Sequence, residues 1–379
     1  MHTILIAPDS FKESLSAAEV ADAIRDGMAE VLSDAAYTLL PLADGGEGTM
    51  EALVIAAGGR YVTVQVTGPD GSPVQARFGL IHDDRTAVIE MAEASGLQRL
   101  PVARRNPMKT TSRGTGELIL EALDAGVEQV ILTLGGSATN DGGLGMAQAL
   151  GVKALDATGQ PIGPGGQGLL NLASLNLHEL DTRIPATRFR VICDVVNPLT
   201  GPHGATHVFG PQKGATPDML IALDQGMARY GRLLEQVTSV KLMEMPGAGA
   251  AGGMGAAACG FLGARLEPGI DVVMDAVRFR EQIKGVDLVI TGEGRIDAQT
   301  AHGKTLAGVA REAAQAGVPV IALAGSVGED YKEALACGIT AVFSITPSPM
   351  ALDEALEQAG SNIRRTARNI AALVRVKAP

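Results

Sequence analysis

The sequence predicts an α/β protein of two domains. One is a discontinuous Rossmann-like, doubly wound parallel sheet, and the other is an inserted mixed α/β domain. Three observations carry this expectation. Short aliphatic runs alternate with amphipathic stretches at both ends of the chain, the mark of βαβ units around a parallel sheet. The middle opens instead on short apolar runs joined by turn residues, an antiparallel signature. The 379 residues suffice for two ordinary domains. The expected division places 1–60 and 286–379 in the Rossmann-like domain and 61–285 in the insert, with Gly58-Gly59-Arg60 as the crossing point and an active site in the cleft between them.

In chain order, residues 3–7 (TILIA) read as a buried strand and Ser14–Val31 as a helix. Ser14 or Ser16 is the N-cap, and Glu19 three residues past Ser16 completes a capping-box pattern. A second strand at 37–42 leads into the loop of Asp44 and Glu47 and a helix to Ala57. Strands at Val62–Val66 and Val74–Ile81, joined by TGPDGSP, and at Ala87–Met91 form the meander. A helix near 114–125 and strands at Gln129–Leu134 and Arg188–Cys193 follow. The second half of the Rossmann-like sheet takes strands at Val286–Thr291, Val318–Ala324 and Ala341–Ile345. Helices lie at Gly303–Ala316, up to Ala336, and at Asp353–Val376.

Composition narrows the function. A 46% hydrophobic content without tryptophan predicts a large aliphatic core. The net charge of -11 argues against general nucleic-acid binding, which needs a basic face. The N-terminus shows no signal peptide, and the uncharged stretch Met245–Ala264 is too rich in Gly and Ala to read as a membrane span. Cys193, Cys259 and Cys337 have no pair spacing, which fits a reduced cytoplasmic protein without disulfides or zinc.

Chemistry concentrates where the strands end, which is where open parallel sheets bind ligands. The first strand leads to Pro8-Asp9-Ser10-Phe11-Lys12 and the second to Asp44-Gly45-Gly46-Glu47. The strand at 129–134 leads to Gly135-Gly136-Ser137 and on to Asp141, and the strand ending at Cys193 leads to Asp194. Val286–Thr291 leads to Gly292-Glu293-Gly294-Arg295-Ile296-Asp297, and Val318–Ala324 to Gly325-Ser326. Core packing gives no reason for acids, small hydroxyls and glycines at so many strand ends. A site that handles phosphate together with Mg2+ does. Bare backbone N–H groups and a hydroxyl make Gly135-Gly136-Ser137 a ready anion site. Two familiar motifs fail. Gly303-Lys304-Thr305 ends like a P-loop, but Ala298 stands where its first glycine belongs. Gly292-Glu293-Gly294 starts a dinucleotide fingerprint, but Asp297 occupies the third glycine position.

Several of these segments, taken in order, are similar to those of the bacterial class I glycerate kinases. They are APDSFKESLS (7–16), LADGGEGT (42–49), SRGTGELI (112–119), GGSATNDGGLGM (135–146), CDVVNPLTG (193–201), GPQKGA (210–215), PGAGAAGG (246–253) and TGEGRIDAQT (291–300). The resemblance runs essentially end to end. It implies ATP-dependent phosphorylation of D-glycerate with Mg2+, to 2-phosphoglycerate in most members and the 3-phosphate in some relatives. It also implies a supply of glycerate to lower glycolysis. On that basis Asp194 or Asp44 takes the hydroxyl proton and Lys12 assists catalysis. Asp9, Ser10, Lys12, Arg295 and Asn197 meet the substrate. Gly135, Gly136, Ser137, Asp141 and Lys213 hold the nucleotide, with Gln212 beside them. Glu47, Glu293 and Asp297 are metal-side or substrate-hydroxyl partners, and Lys12 and Arg295 meet the glycerate carboxylate or the phosphates. The glycine-rich segment Gly247–Gly255 is too flexible for a plain helix interior and reads as a close approach to ligand or a moving lid. The expected partners are small molecules only, with neither nucleic acid nor membrane, for a monomer or homodimer. The competing readings are a kinase for another small hydroxy acid and a non-catalytic sensor. The sensor lacks any DNA-binding pattern or basic patch.

Overall fold

The computed structural model describes residues 2–297, 300 and 305–376. The strands in chain order are β1 (Thr3–Ile6), β2 (Ala36–Leu39), β3 (Arg60–Thr67), β4 (Pro73–Ile81) and β5 (Thr86–Glu90). They continue with β6 (Gln129–Thr133), β7 (Lys153–Leu155), β8 (Ser174–Asn176), β9 (Arg188–Ile192) and β10 (Arg265–Glu267). The last are β11 (Leu288–Ile296), β12 (Val320–Val327) and β13 (Ala341–Ser344).

The chain divides into two compact units. The first takes residues up to Asp44, Glu51–Gly58 and everything from Gly269 onward, and the second takes Gly45–Met50 and Gly59–Pro268. The second junction therefore falls earlier than the expected residue 285. The helix Gly269–Ala276 belongs with the first unit because Ile270 lies against Gly308, where any Cβ would collide with it.

The first unit is built on a five-stranded sheet, all parallel, in the order β13-β12-β11-β1-β2. Counted within the sheet this is 2-1-3-4-5, so the topological switch point lies between β1 and β11. The chain leaving β1 keeps to β11, with the N–H groups of Ala7 and Asp9 bonded to the carbonyls of Ile290 and Gly292 at 2.8 and 2.9 Å. One face is covered by the helices Ala17–Ala29 and Ala359–Val376, which share a core of Ile4, Val20, Ile24, Met28, Ile290, Ile363 and Ile370. The first of these helices starts as the sequence predicts: Ser16 caps it and Glu19 returns a bond to the Ser16 N–H at 2.8 Å.

β11 and β12 run further than expected. Gly292–Ile296 continues as strand beside Leu323–Val327 instead of turning away. Gly292 and Gly325 explain this, because a Cβ on either would stand 2.6 Å from a facing carbonyl, that of Leu323 or of Gly294. The glycines that look like turn residues serve close strand approach. The predicted terminal helix is two, Leu352–Glu357 and Ala359–Val376.

The second unit holds a six-stranded mixed sheet in the order β10-β9-β6-β5-β4-β3. The pairs β3–β4 and β4–β5 are antiparallel, as the meander signature predicts, and the other three are parallel. The small hairpin of β7 and β8 stands apart. The longest helix, Pro217–Thr238, went unread, although Thr216 caps it and Pro217 opens it. No helix among the described residues is long and apolar enough to cross a membrane. Met245–Ala264 instead supplies the helix Ala250–Leu262, whose start carries three residues in the left-handed region: Ala251 (φ 52°), Gly252 (φ 69°) and Gly253 (φ 93°).

Candidate functional site

In the first unit, carboxylates and hydroxyls gather at the switch point. Asp9 follows β1. Its Oδ1 accepts the Ser10 N–H at 2.6 Å and the Ser10 hydroxyl at 3.3 Å, and its Oδ2 accepts the Thr305 hydroxyl. Burial pushes the Asp9 carboxyl above its ordinary value, the negative charge of Asp44 adds to the rise, and the hydroxyl and N–H donors oppose it. Asp44 is half-buried. Glu293, buried on β11, accepts the Thr300 hydroxyl at 2.6 Å, and the same hydroxyl oxygen accepts the Asp297 N–H at 3.2 Å. Thr291 ties β11 to β1 through the Ala7 carbonyl at 2.8 Å. Arg295 is exposed and donates to Asp297 at 2.9 Å. Lys12 is exposed too, and its backbone runs beside Gly294. Sheet topology thus brings Asp9, Ser10, Asp44 and Glu293 together, and it pairs Arg295 with Asp297. Lys304 lies outside the described residues.

In the second unit, the turn after β6 is an anion-binding shape backed by a buried cation. Gly135 and Gly136 are exposed, Gly136 has φ 70°, and the turn is pinned by Leu97 N–H to the Gly136 carbonyl at 2.8 Å. The ammonium of Lys213, 1% exposed, donates to the Ser137 hydroxyl at 3.0 Å and the Thr139 carbonyl at 2.6 Å. Burial draws its pKa down to about 7, against the pull of Asp141. Asp141 is buried and occupied from within. Its Oδ2 accepts the Ser112 N–H and hydroxyl, both at 2.8 Å, and the Gly145 N–H at 3.3 Å; its Oδ1 accepts the Gly143 N–H at 3.1 Å. Its carboxyl stands above the ordinary value because burial outweighs these donors. Asp141, expected to meet nucleotide, holds this turn from within. The hydroxyl of Thr139 and the amide oxygen of Asn140, both buried beside this turn, have no partner, a sign of room for a polar ligand or water.

The left-handed start of the helix Ala250–Leu262 accounts for the glycines once read as a lid or ligand contact. Gly252 lies against Thr139 and Asn140, Gly253 against Gly142, and the Gly142 N–H bonds the Gly252 carbonyl at 2.9 Å. The close approach seen here is to the chain's own turn after β6, which the segment braces.

Glu47 is exposed on the loop Gly45–Met50, and Gly46 comes within van der Waals contact of a Cβ at Gly135. Close by, Glu90 at the end of β5 is buried and accepts the Met50 N–H at 2.8 Å. Burial raises its carboxyl, and Glu93 and Glu47 add to the rise. Asp194 is exposed on the loop after β9. Asn197 closes that loop through the His203 carbonyl at 2.8 Å, and Gln212 is exposed one residue before Lys213. Of the acids expected to face metal, Glu293 and Asp297 share the first unit and Glu47 belongs to the second. Among the described residues no group of three or more His, Cys, Asp or Glu gathers at one point. One or two carboxylates do suit Mg2+, which retains waters and binds substrate phosphates.

Sequence reading missed Thr300, Thr305, Ser112 and Glu90. Thr300 and Thr305 flank the stretch where attention fell on lysine, and Glu90 reads as the polar end of a strand.

Comparison with known proteins gives a consistent result. The family model described as "Glycerate kinase family" matches residues 4–375. A glycerate kinase of Bacillus subtilis (strain 168) is 54% identical over 98% of both chains. A glycerate 2-kinase of Escherichia coli (strain K12) is 51% identical over the same shares. A crystal structure described as that of a "putative glycerate kinase 2" from Salmonella typhimurium LT2 superimposes with a TM-score of 0.91 at 53% identity, covering 99% of each chain.

Proposed function

The chain belongs to the glycerate kinase family, and on that premise we propose that it is a glycerate 2-kinase, moving the γ-phosphoryl group of ATP to the C2 hydroxyl of D-glycerate with Mg2+. The choice of C2 follows the glycerate 2-kinase of Escherichia coli, a relative at 51% identity over nearly the full length. The observation that carries the phosphate chemistry is the Gly135-Gly136-Ser137 turn with the buried Lys213 ammonium behind it.

Phosphoryl transfer asks a protein for position and charge neutralisation more than for covalent help. The exposed N–H groups of Gly135 and Gly136 receive phosphate oxygens, and Lys213 fixes their presentation through Ser137 and Thr139. Asp9 and Ser10 orient glycerate hydroxyls, with Thr305 holding Asp9 in place. Lys12 and Arg295 meet the glycerate carboxylate, and Asn197 keeps the loop of Asp194 closed. A carboxylate, Asp194 or Asp44, takes the proton from the attacking hydroxyl. Glu293 and Asp297 of the first unit, or Glu47 of the second, would be the oxygen donors for Mg2+, which would supply charge neutralisation on the transferring group. The three free cysteines fit a reducing cytoplasm.

Phosphorus NMR of the product from D-glycerate, ATP and Mg2+ tests the reading. A 2-phosphoglycerate resonance is expected. A 3-phosphoglycerate resonance overturns the regiochemistry, and no phosphoglycerate from folded, ATP-binding protein overturns the substrate.

A further inference from the structure

The second unit carries a cavity of about 560 Å3 along the outer part of its sheet, lined by residues of β9, β10 and the segments leading into them. None of the residues discussed for catalysis lines it. Its polar wall is basic. Arg188 and Arg190 are two apart on β9, and Arg265 is the register partner of Arg190 on β10, so the three guanidinium-bearing residues share one face. Arg190 is buried and held in a two-bond fork by Glu267, at 2.8 and 2.6 Å. Arg188 and Arg265 are exposed, and among the described residues neither guanidinium makes a hydrogen bond or a close ion pair, although, behind the Arg190 fork, both charges help hold the Glu267 carboxyl below its ordinary value. Three positive groups against one carboxylate leave a local excess of two, in a chain of net charge -11.

Two features separate this place from an ordinary charged edge. Charges on an edge strand discourage strand addition, and β10 is such an edge. That role needs neither a cavity behind the charges nor a buried third arginine. The cavity also has an apolar side, where Leu180 and Pro185 keep accessible surface beside the buried Ile184, Phe261 and Leu262. Guanidinium forks match the planar or tetrahedral oxygens of carboxylate and phosphate groups. The volume is that of a small organic ligand and far exceeds what a bare ion needs.

We propose that this cavity is a second ligand site, independent of the glycerate kinase reading, that binds a small organic oxyanion with its charged head on Arg188 and Arg265 and its apolar body on Leu180 and Pro185. The fixed Arg190–Glu267 fork forms the rigid wall between them. The same strand end joins the catalytic loop, since the Cys193 N–H, next to Asp194, bonds the Glu267 carbonyl at 3.0 Å.

The test is isothermal titration calorimetry of the full chain and of an Arg188→Gln/Arg265→Gln double variant, at low salt. The probes are phenyl phosphate, phthalate and inorganic phosphate. Phenyl phosphate or phthalate is expected to bind the natural chain with a Kd below about 1 mM, and about tenfold or more weaker in the double variant. The tighter of the two identifies the head group as phosphate or carboxylate. The steady-state kinetics of the double variant should stay within about twofold, which shows that it is folded. Three results overturn the proposal: no binding of either aromatic probe to the natural chain, equal binding to both proteins, or inorganic phosphate binding as tightly as phenyl phosphate.

Discussion

Thr305 and Thr300 each lend a hydroxyl to an acid, the half-buried Asp9 and the buried Glu293. Thr305→Val should remove a donor to the ionised Asp9 and let burial lift its carboxyl further. The acid limb of the pH profile of kcat/KM should then move upward, with a loss of roughly tenfold near neutrality. Thr305→Ser should restore both, which a purely structural role would not predict. Lys213 gives a second prediction. Its folded pKa is about 7, below the ordinary 10.5, so between those values the folded chain holds fewer protons than the unfolded one. Stability should therefore rise as pH goes from 7 toward 10, and Lys213→Met should flatten that slope in thermal melts. The same variant should raise the KM for ATP about tenfold while leaving that for glycerate within about twofold. Asp9 and Glu293 stood out as acids just past an apolar strand run, where packing gives them no reason, although Glu293 proves to lie inside β11. The Thr305 bond to Asp9 spans 296 residues and leaves no local pattern, and the Thr300 bond to Glu293 spans seven and fits no standard cap or turn motif.

Elements with local signals were readable, and those set by tertiary contact were not. The capping box of Ser16 and Glu19 marks a helix start without reference to anything else. The extension of β11 through Gly292–Ile296 is invisible locally, since Gly-x-Gly reads as a turn until a second strand with its own glycine lies alongside. Gly252 shows the same logic in the helix Ala250–Leu262. It sits at φ 69° with the Thr139 carbonyl where a Cβ would go. Gly252→Ala combines left-handed strain with a backbone clash and should cost about 3 kcal/mol or more, lowering the melting temperature by roughly 6–12 °C. It should also weaken ATP binding, because the displaced residues carry the Gly135–Asp141 turn. A variant that melts normally would remove the brace from the account.

The whole molecule is ordered by long-range pairing. The core of the first unit takes Ile4 and Val20 from the start of the chain and Ile363 and Ile370 from its end. Truncation after Ala351 should leave that core open. Limited proteolysis should then degrade the first unit and release a resistant fragment near Gly59–Pro268, the continuous part of the second. Alternating strands and helices at both ends of the sequence foretold that a chain-spanning sheet would form. The junction near 268 was not foretold, because it depends on Ile270 packing against Gly308. The pairing of β1 with β11 also sets a timetable for synthesis. Ile4 meets Leu288 and Ile6 meets Ile290, so the first strand, whose β2 neighbour follows at once, waits for its other neighbour some 284 residues behind it. At ordinary elongation rates of 5–20 residues per second that wait is roughly 15–60 s. Gly59–Pro268, the continuous part of the second unit, has time to fold within it while the β11-facing edge of the apolar first strand stays open, the kind of segment that holding chaperones bind. Early release of the nascent chain should therefore yield aggregates nucleated by residues 3–7.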